Sequence, residues 1–305
     1  MQKESDKMEK RISEFINYVQ KQKMYSSNTA KNYELDIVEF KNYLEGKGVN
    51  YTNVDYDFIK DYLMYLHNKK YKRNTIARRL SSLRSFYRYL FNNNVVKTNP
   101  FKYVQLPKKE KRLPKYVGVE DLEVIFNIPD ITNTLGQRDR LILEILYATG
   151  IRVGELVNIC LEDIDFSKKE IRILGKGNKE RIAEFGDYCL DAINEFIDDG
   201  RCKILNKYNK ESNYLIINGQ GEKITTRGVE KIMDGIIKKA SLKKRVTPHM
   251  IRHTFATHLL NEGCDILTVK ELLGHESLES TQIYTHVSNE KLRQVYLNCH
   301  PRSKK

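Results

Sequence analysis

A short basic segment bounded by prolines divides this chain of 305 residues into two stretches with different patterns. Residues 107–116 place two prolines around a run of lysines and arginine. Such a composition favours an extended linker over a helix or a strand. We therefore expect one domain over residues 1–106, a linker over 107–117 and a second domain over 118–305.

The first stretch carries apolar residues at helical spacing along most of its length. Four such stripes precede a run of asparagines at 92–94, which interrupts the pattern. Four helices with short connections predict a small helical bundle. The stripes include Phe15 and Val19, Ile37 and Phe40, Ile59 and Leu66, and Leu83 and Leu90.

The second stretch mixes two periodicities. Helices are predicted near 119–126, 140–147, 187–198, 226–240, 249–262 and 266–273. Two short strands, 170–174 and 181–185, flank a glycine-rich hairpin turn. The expected fold class is mainly α with a small β-sheet, arranged as a helical N-terminal domain and an α+β C-terminal domain.

The charge balance narrows the class of partner. Lys and Arg number 53 against 40 Asp and Glu, a net charge of +13. That excess favours a polyanion such as nucleic acid. No apolar run is long enough to span a membrane, and residues 1–7 lack the apolar core of a signal peptide. We expect a cytoplasmic, nucleoid-associated protein that has no membrane partner.

The fourth predicted helix is rich in arginine. A guanidinium is a planar fork of donors that fits phosphates and guanine edges, although a solvated helix face is the alternative explanation. Together with lysines of the linker, these residues are candidates for DNA binding: Arg73, Arg78, Arg79, Arg84, Lys108 and Lys109.

Five of the seven histidines fall between residues 249 and 286. A metal site is one explanation, since His249 and His253 are four residues apart on a predicted helix. However, this stretch lacks the glutamate of an HExxH motif, and Arg252 would repel a cation. We expect no metal. His249 and Arg252, three residues apart, project instead from neighbouring positions of the helix toward a common cleft.

Further polar residues follow a recognisable order along the chain. An arginine lies where one predicted helix ends and another begins, a lysine lies in the glycine-rich turn, and a histidine and a tyrosine follow the last predicted helix. With the His-x-x-Arg pair they make the series Arg152, Lys176, His249, Arg252, His275 and Tyr284. In these residues and their spacing the chain resembles the tyrosine recombinases, and most closely their Xer branch.

The resemblance covers nearly the whole chain. It implies a SAM-like helical N-terminal domain, a catalytic C-terminal domain and a site made of those six residues. It also implies site-specific cutting and rejoining of DNA through a 3′-phosphotyrosyl intermediate and a Holliday junction. Four protomers would hold two duplexes, with the C-terminal tail docked on a neighbouring protomer.

The chemistry of phosphodiester cleavage agrees with these residue types. Arg152 and Arg252 would hold the two non-bridging oxygens, since Arg is charged at any relevant pH. Tyr284 supplies a phenol of ordinary pKa ~10 and needs help to ionise. His249 would be the general base or proton shuttle. The covalent bond conserves the phosphodiester energy, so we expect neither ATP nor another cofactor.

The remaining roles are less constrained. Lys176 would protonate the departing 5′-oxygen, with Lys179 as its competitor for that role. His275 would hydrogen-bond the phosphate in the transition state. Glu155 would orient a residue of the site.

Several functions share this pattern. The leading hypothesis is Xer-type resolution of chromosome or plasmid dimers on a double-stranded recombination site. A mobile-element integrase would use the same chemistry, as would a type IB topoisomerase. A DNA-binding protein without catalysis is the alternative of another class. The pattern leaves open whether the enzyme forms a homo-tetramer or a hetero-tetramer with a second recombinase. It also leaves open whether a DNA translocase controls the enzyme.

Overall fold

The structure, a computed structural model, describes residues 2–23, 25, 27–105, 116–175, 179–242, 245–274 and 289–303. The chain divides into two compact units, Met1–Arg112 and Leu113–Lys305. None of the helices in the described ranges is both long and apolar enough to cross a membrane.

The first unit contains the four predicted helices: α1 (Gln2–Lys21), α2 (Ser27–Lys47), α3 (Tyr56–Asn68) and α4 (Arg73–Asn92). Asp55 begins α3 as its N-cap, because its carboxylate accepts a hydrogen bond of 2.8 Å from the backbone N–H of Phe58. The apolar stripes thus predicted the number and the order of these helices correctly.

Aromatic rings fill the centre of this bundle, and α1, α2, α3 and α4 each contribute. Phe15, Phe40, Tyr62 and Phe86 are fully buried. The rings of Phe40 and Tyr62 meet edge to face with centroids 4.8 Å apart, and those of Phe15 and Phe86 do so at 5.4 Å. Edge-to-face pairs add to the stabilisation that burial gives, so the stripes specify one packing of the helices.

Arg79, a candidate DNA contact, lies inside the bundle. It is buried, forms an ion pair with Glu39 of α2, and its guanidinium lies 4.0 Å from the ring centroid of Tyr71. These contacts give Arg79 a packing role, because an unpaired buried charge would be costly.

The other arginine candidates of α4 lie nearer the surface. Arg84 donates to the carbonyl oxygens of Phe101 (3.0 Å) and Val104 (2.5 Å), which fixes the segment after the bundle. Arg78 pairs with the buried Asp36 at 2.5 Å, and its side chain is 42% exposed. Arg73 is exposed in the first turn of α4. Their contact with DNA stays a prediction.

The second unit is mixed, as its sequence predicted. Its helices are α5 (Val119–Phe126), α6 (Thr134–Thr149), α7 (Val153–Leu156), α8 (Asp187–Glu195), α9 (Cys202–Tyr208), α10 (Thr226–Lys239), α11 (Pro248–Asn261), α12 (Ile266–Leu273) and α13 (Asn289–Cys299). Its strands are β1 (Ile164–Asp165), β2 (Glu170–Leu174) and β3 (Glu180–Glu184). The sequence patterns did not predict α9, α13 or β1, whereas α7 begins directly after Arg152, where a second helix was expected.

The three strands form an antiparallel sheet in chain order. Ile171 pairs with Ala183, and both are buried. The last pair of the hairpin formed by β2 and β3 joins Leu174 to Glu180. Strand β3 therefore begins one residue earlier than predicted. The sheet thereby holds both ends of the glycine-rich turn.

Helix α6 is the centre of the second unit. Every residue from 141 to 150 is buried, and a helix that is buried on all sides must be covered by other elements. Helices α5, α8 and α11 pack against it. The end of α6 at Thr149 is therefore a rigid starting point for the residues that follow.

The C-terminal residues 289–303 pack on their own unit. His300 is buried and lies between the rings of Tyr147 and Tyr296, with centroids 4.9 Å from each. Arg302 donates from Nε to the buried carboxylate of Glu144 at 3.0 Å. Docking of the tail on a neighbouring protomer stays a prediction.

Replacing Arg79 tests its packing role. Arg79→Ala removes the cation that pairs with Glu39 and the contact with the ring of Tyr71, so we expect the free energy of unfolding to fall by about 3 kcal/mol. Urea unfolding followed by circular dichroism measures this. Arg88→Ala, at an exposed position of the same helix, is the control and should change stability by less than ~0.5 kcal/mol. Equal stability of the two variants would contradict the assigned role.

A buried carboxyl of β3 gives the second unit a pH dependence. Burial raises the pKa of Glu184 to about 7, against the attraction of Arg293 on α13. In the unfolded chain this carboxyl has an ordinary pKa of ~4.3. The folded protein therefore holds the proton more tightly, and the stability that this gives is lost as pH rises from ~4.3 through about 7.

Glu184→Gln removes that titration. We expect the free energy of unfolding to drop less between about pH 5 and pH 8 in this variant than in the unmodified protein. Urea unfolding at the two pH values measures the difference. Glu211→Gln, at an exposed site, should keep the original dependence. The same dependence in both variants would show that Glu184 titrates normally.

Candidate active site

The site begins where α6 ends. Gly150 caps α6 in the left-handed conformation, with φ of 58°. A Cβ at this position would lie 2.5 Å from the ring of Phe255 and 2.9 Å from Leu273, so only glycine fits. The chain therefore turns sharply and passes the buried Ile151 directly to Arg152.

Arg152 and Glu155 form one unit at the start of α7. The carboxylate of Glu155 accepts from the backbone N–H of Arg152 at 2.9 Å and from its guanidinium at 2.8 Å. The side chain of Glu155 is 8% exposed, whereas that of Arg152 is 40% exposed. Glu155 thus fixes the direction of a guanidinium that still faces solvent.

A second arginine shares the same carboxylate. Arg181 of β3 donates to Glu155 from both terminal nitrogens, at 2.8 Å and 3.2 Å. Its side chain is 16% exposed. Burial of Glu155 opposes its ionisation, but the hydrogen bonds from Arg181 and Arg152 outweigh burial and lower the pKa of the carboxyl.

Arg252 of α11 is buried at the meeting point of two helix ends. Its guanidinium donates to the carbonyl oxygen of Gly150 at 2.5 Å and to that of Leu273 at 2.7 Å. Carbonyls at helix C-termini lack partners within their own helix, so these two are natural acceptors. The two bonds hold the guanidinium between the end of α6 and the end of α12.

Burial, together with the charge of Arg152, lowers the pKa of Arg252 to about 10. The group therefore remains protonated at neutral pH.

His249 lies one turn before Arg252 on the same helix. Thr247 caps α11 by accepting from the N–H of Met250 at 3.3 Å, and Pro248 takes the first helical position. This start leaves His249 exposed, within the first turn. His249 and Arg252 thus lie one turn apart on one helix, His249 exposed and Arg252 buried, and their action on a common cleft stays a prediction.

A cleft of about 640 Å³ opens between Arg152 and the hairpin of β2 and β3. Its lining includes Arg152, Glu155, Arg181, Lys179 and Gly274. Lys179 therefore lines the same cleft as Arg152. The choice between Lys176 and Lys179 as the acid stays open, because Lys176 lies outside the described residues.

Other predicted residues also lie outside the described ranges. They are His275, Tyr284, Lys108 and Lys109. Gly274, which precedes His275 in sequence, ends α12 in the left-handed conformation that favours glycine at this position, and it lines the cleft. Among the described residues, no three His, Cys, Asp or Glu side chains come together in a way that could hold a metal ion.

The sequence interpretation missed Arg181. One signal was available in the alternation of the second predicted strand, where Arg181, Ala183 and Phe185 fall on one face. Ala183 and Phe185 are buried, and an arginine on that face needs an anionic partner. The signal does not say that the partner is Glu155.

Family models match both units of the chain. Residues 115–291 match the phage integrase family, and residues 12–94 match the N-terminal SAM-like domain of phage integrases. The second match fits the helical bundle, and the first covers the cleft and the candidate residues.

Curated relatives match over nearly their full length. A protein named tyrosine recombinase XerC from Listeria welshimeri is 47% identical, covering 95% of this chain and 97% of the relative. A protein of the same name from Bacillus subtilis is 43% identical, covering 95% of each.

Solved structures share the fold. A XerH site-specific recombinase bound to a palindromic difH substrate has a TM-score of 0.69 at 23% identity, covering 88% of this chain and 79% of that one. The Tn1549 transposon integrase in complex with circular intermediate DNA has a TM-score of 0.65 at 19% identity, covering 93% and 98%. With the family models and the close relatives, the chain belongs to the phage integrase family and, within it, to the tyrosine recombinases of the Xer branch.

Proposed function

We propose that this recombinase cuts and rejoins double-stranded DNA at a specific site, with Tyr284 as its nucleophile. The observation that carries the proposal is the arrangement of two guanidiniums, each fixed by its own network. Glu155 holds Arg152, and two helix-end carbonyls hold Arg252. Two permanent cations that are already in place suit the dianionic transition state of phosphoryl transfer.

The proposed reaction uses both guanidiniums. A scissile phosphate enters the cleft, and its non-bridging oxygens bind Arg152 and Arg252. The phenol of Tyr284 attacks phosphorus while His249 accepts its proton. The bond to the 5′-oxygen breaks, and Lys176 or Lys179 donates the proton that makes the 5′-hydroxyl.

The product of this step is a 3′-phosphotyrosyl link. Because the new bond conserves the energy of the phosphodiester, a 5′-hydroxyl of another strand reverses the chemistry and joins the strands. Two such exchanges pass through a Holliday junction and give recombinant duplexes. His275 contributes a hydrogen bond to the phosphate in this scheme.

The biological role we favour is Xer-type resolution of chromosome or plasmid dimers. Relatives named XerC are 43–47% identical over almost the whole chain. The net charge of +13 suits contact with two duplexes. The proposed assembly is a tetramer of this chain, alone or with a second recombinase, on the chromosome in the cytoplasm.

The nucleophile is tested with a nicked duplex that traps covalent protein. Tyr284→Phe removes only the phenolic oxygen, so this variant should bind the recombination site like the unmodified protein and form no covalent complex. Binding is measured by gel shift, and covalent attachment by denaturing gel electrophoresis. A covalent complex of Tyr284→Phe at the same site would assign the nucleophile to another residue.

The role of Arg252 is tested with a conservative change. An ammonium in Arg252→Lys cannot reach two carbonyls and a phosphate together, so covalent-complex formation should slow by about 100-fold. DNA binding in a gel shift should change little. Arg172→Lys is the matched control, because Arg172 forms an exposed pair with Asp163, and it should react at the original rate. Equal rates for the two variants would contradict the role of Arg252.

A further inference from the structure

The carboxylate of Glu155 serves two arginines at once. Each of its oxygens accepts two hydrogen bonds, from the backbone and side chain of Arg152 and from both terminal nitrogens of Arg181. A fork-to-fork pair of this kind is the strongest geometry available to an arginine and a carboxylate. The position of Arg152 therefore depends on a residue 29 positions later in the sequence.

Arg181 also contacts the segments that lead to two other candidate residues. Its side chain packs against Gly274 so closely that a Cβ there would lie 2.8 Å from Cδ and 2.9 Å from Nε. A Cβ at Gly175 would lie 3.8 Å from its Nη1. In sequence, Gly274 precedes His275 and Gly175 precedes Lys176.

Arg181 also changes the net charge around Glu155. A guanidinium that is paired one to one with a carboxylate offers little net charge to a phosphate. With Arg181 present, two guanidiniums share one carboxylate, and the trio stays positive. Arg152 can then remain fixed by Glu155 and still attract an anion.

We propose that Arg181 is a positioning residue of the recombinase, which binds Glu155 so that Arg152 is both fixed and available to the scissile phosphate. This inference rests on the proposed function. It assigns Arg181 no contact with the reacting atoms. Its effect on cleavage passes through Glu155.

The experiment measures single-turnover formation of the covalent complex on a nicked duplex at saturating protein. It compares the unmodified protein with Arg181→Gln, Arg181→Lys, Glu155→Gln and the double variant Arg181→Gln/Glu155→Gln. Arg172→Gln is the matched control, because it breaks an exposed arginine–carboxylate pair in the same sheet. Thermal melting and a gel shift on the same duplex show whether each variant is folded and binds DNA.

We expect Arg181→Gln to slow cleavage by about 100-fold, as a small misplacement of a phosphate-binding group does. DNA affinity should change by less than about threefold, since only one of many phosphate contacts is affected. Arg181→Lys should recover part of the rate, because it restores the charge and not the fork. Arg172→Gln should cleave like the unmodified protein.

The double variant decides how Arg181 acts. If its effect passes through Glu155, the double variant should be about as slow as the slower single variant. Losses that multiply would overturn the inference, as would an Arg181→Gln variant that cleaves at the original rate. If Arg181→Gln does not fold, Arg181→Lys and its combination with Glu155→Gln make the same comparison.

The two proposals fail in different ways. If the unmodified protein forms no covalent complex on its site, the proposed function fails. If it does form the complex and the Arg181 variants match it, only the role of Arg181 fails.

Discussion

The site depends on the two hydrogen bonds that the buried guanidinium of Arg252 donates to backbone carbonyls. The guanidinium joins the carbonyl oxygens of Gly150 and Leu273, and so ties the ends of two helices to a third. Helix ends carry carbonyls without partners, and here an arginine satisfies two of them. Because every residue from 141 to 150 is buried, this contact anchors the guanidinium of Arg252 to a fully buried helix end. The arginine is thus held before any DNA is present, which is what electrostatic preorganisation requires.

Arg152 is held by a different kind of interaction. Its guanidinium is held by the shared carboxylate of Glu155 and not by backbone carbonyls. The two arginines therefore differ in exposure, with Arg252 buried and the Arg152 side chain 40% exposed. The more exposed guanidinium of Arg152 lines the cleft and suits an anion that enters from solvent. The basic chain adds long-range attraction, and the fixed pair adds orientation.

The sequence predicted the elements and the residue types of this site better than their contacts. His249 and Arg252 follow from helical spacing, because neighbours in a helix are also neighbours in space, whereas Arg152 follows from the order of residues that the tyrosine recombinases share. Arg181 was missed, since its partner Glu155 lies 26 residues earlier and strand alternation indicates a face without naming a partner. Arg79 was grouped with exposed arginines although it falls in the apolar stripe between Ile76 and Leu83, and its partner Glu39 belongs to another helix. Helix α13 was missed, although Leu292, Val295 and Tyr296 are spaced for a helix face. Contacts between distant segments are tertiary, and no local pattern contains them.

The central claim is that two arginines, fixed independently, hold one phosphate for Tyr284. A crystal structure of the protein joined covalently to a nicked duplex tests it most directly. The account predicts a phosphate bonded to Tyr284 whose non-bridging oxygens lie within about 3 Å of guanidinium nitrogens of both Arg152 and Arg252. It also predicts that Arg252 still donates to the carbonyls of Gly150 and Leu273. A phosphate bonded to another residue, or one that contacts only one of the two arginines, would contradict it.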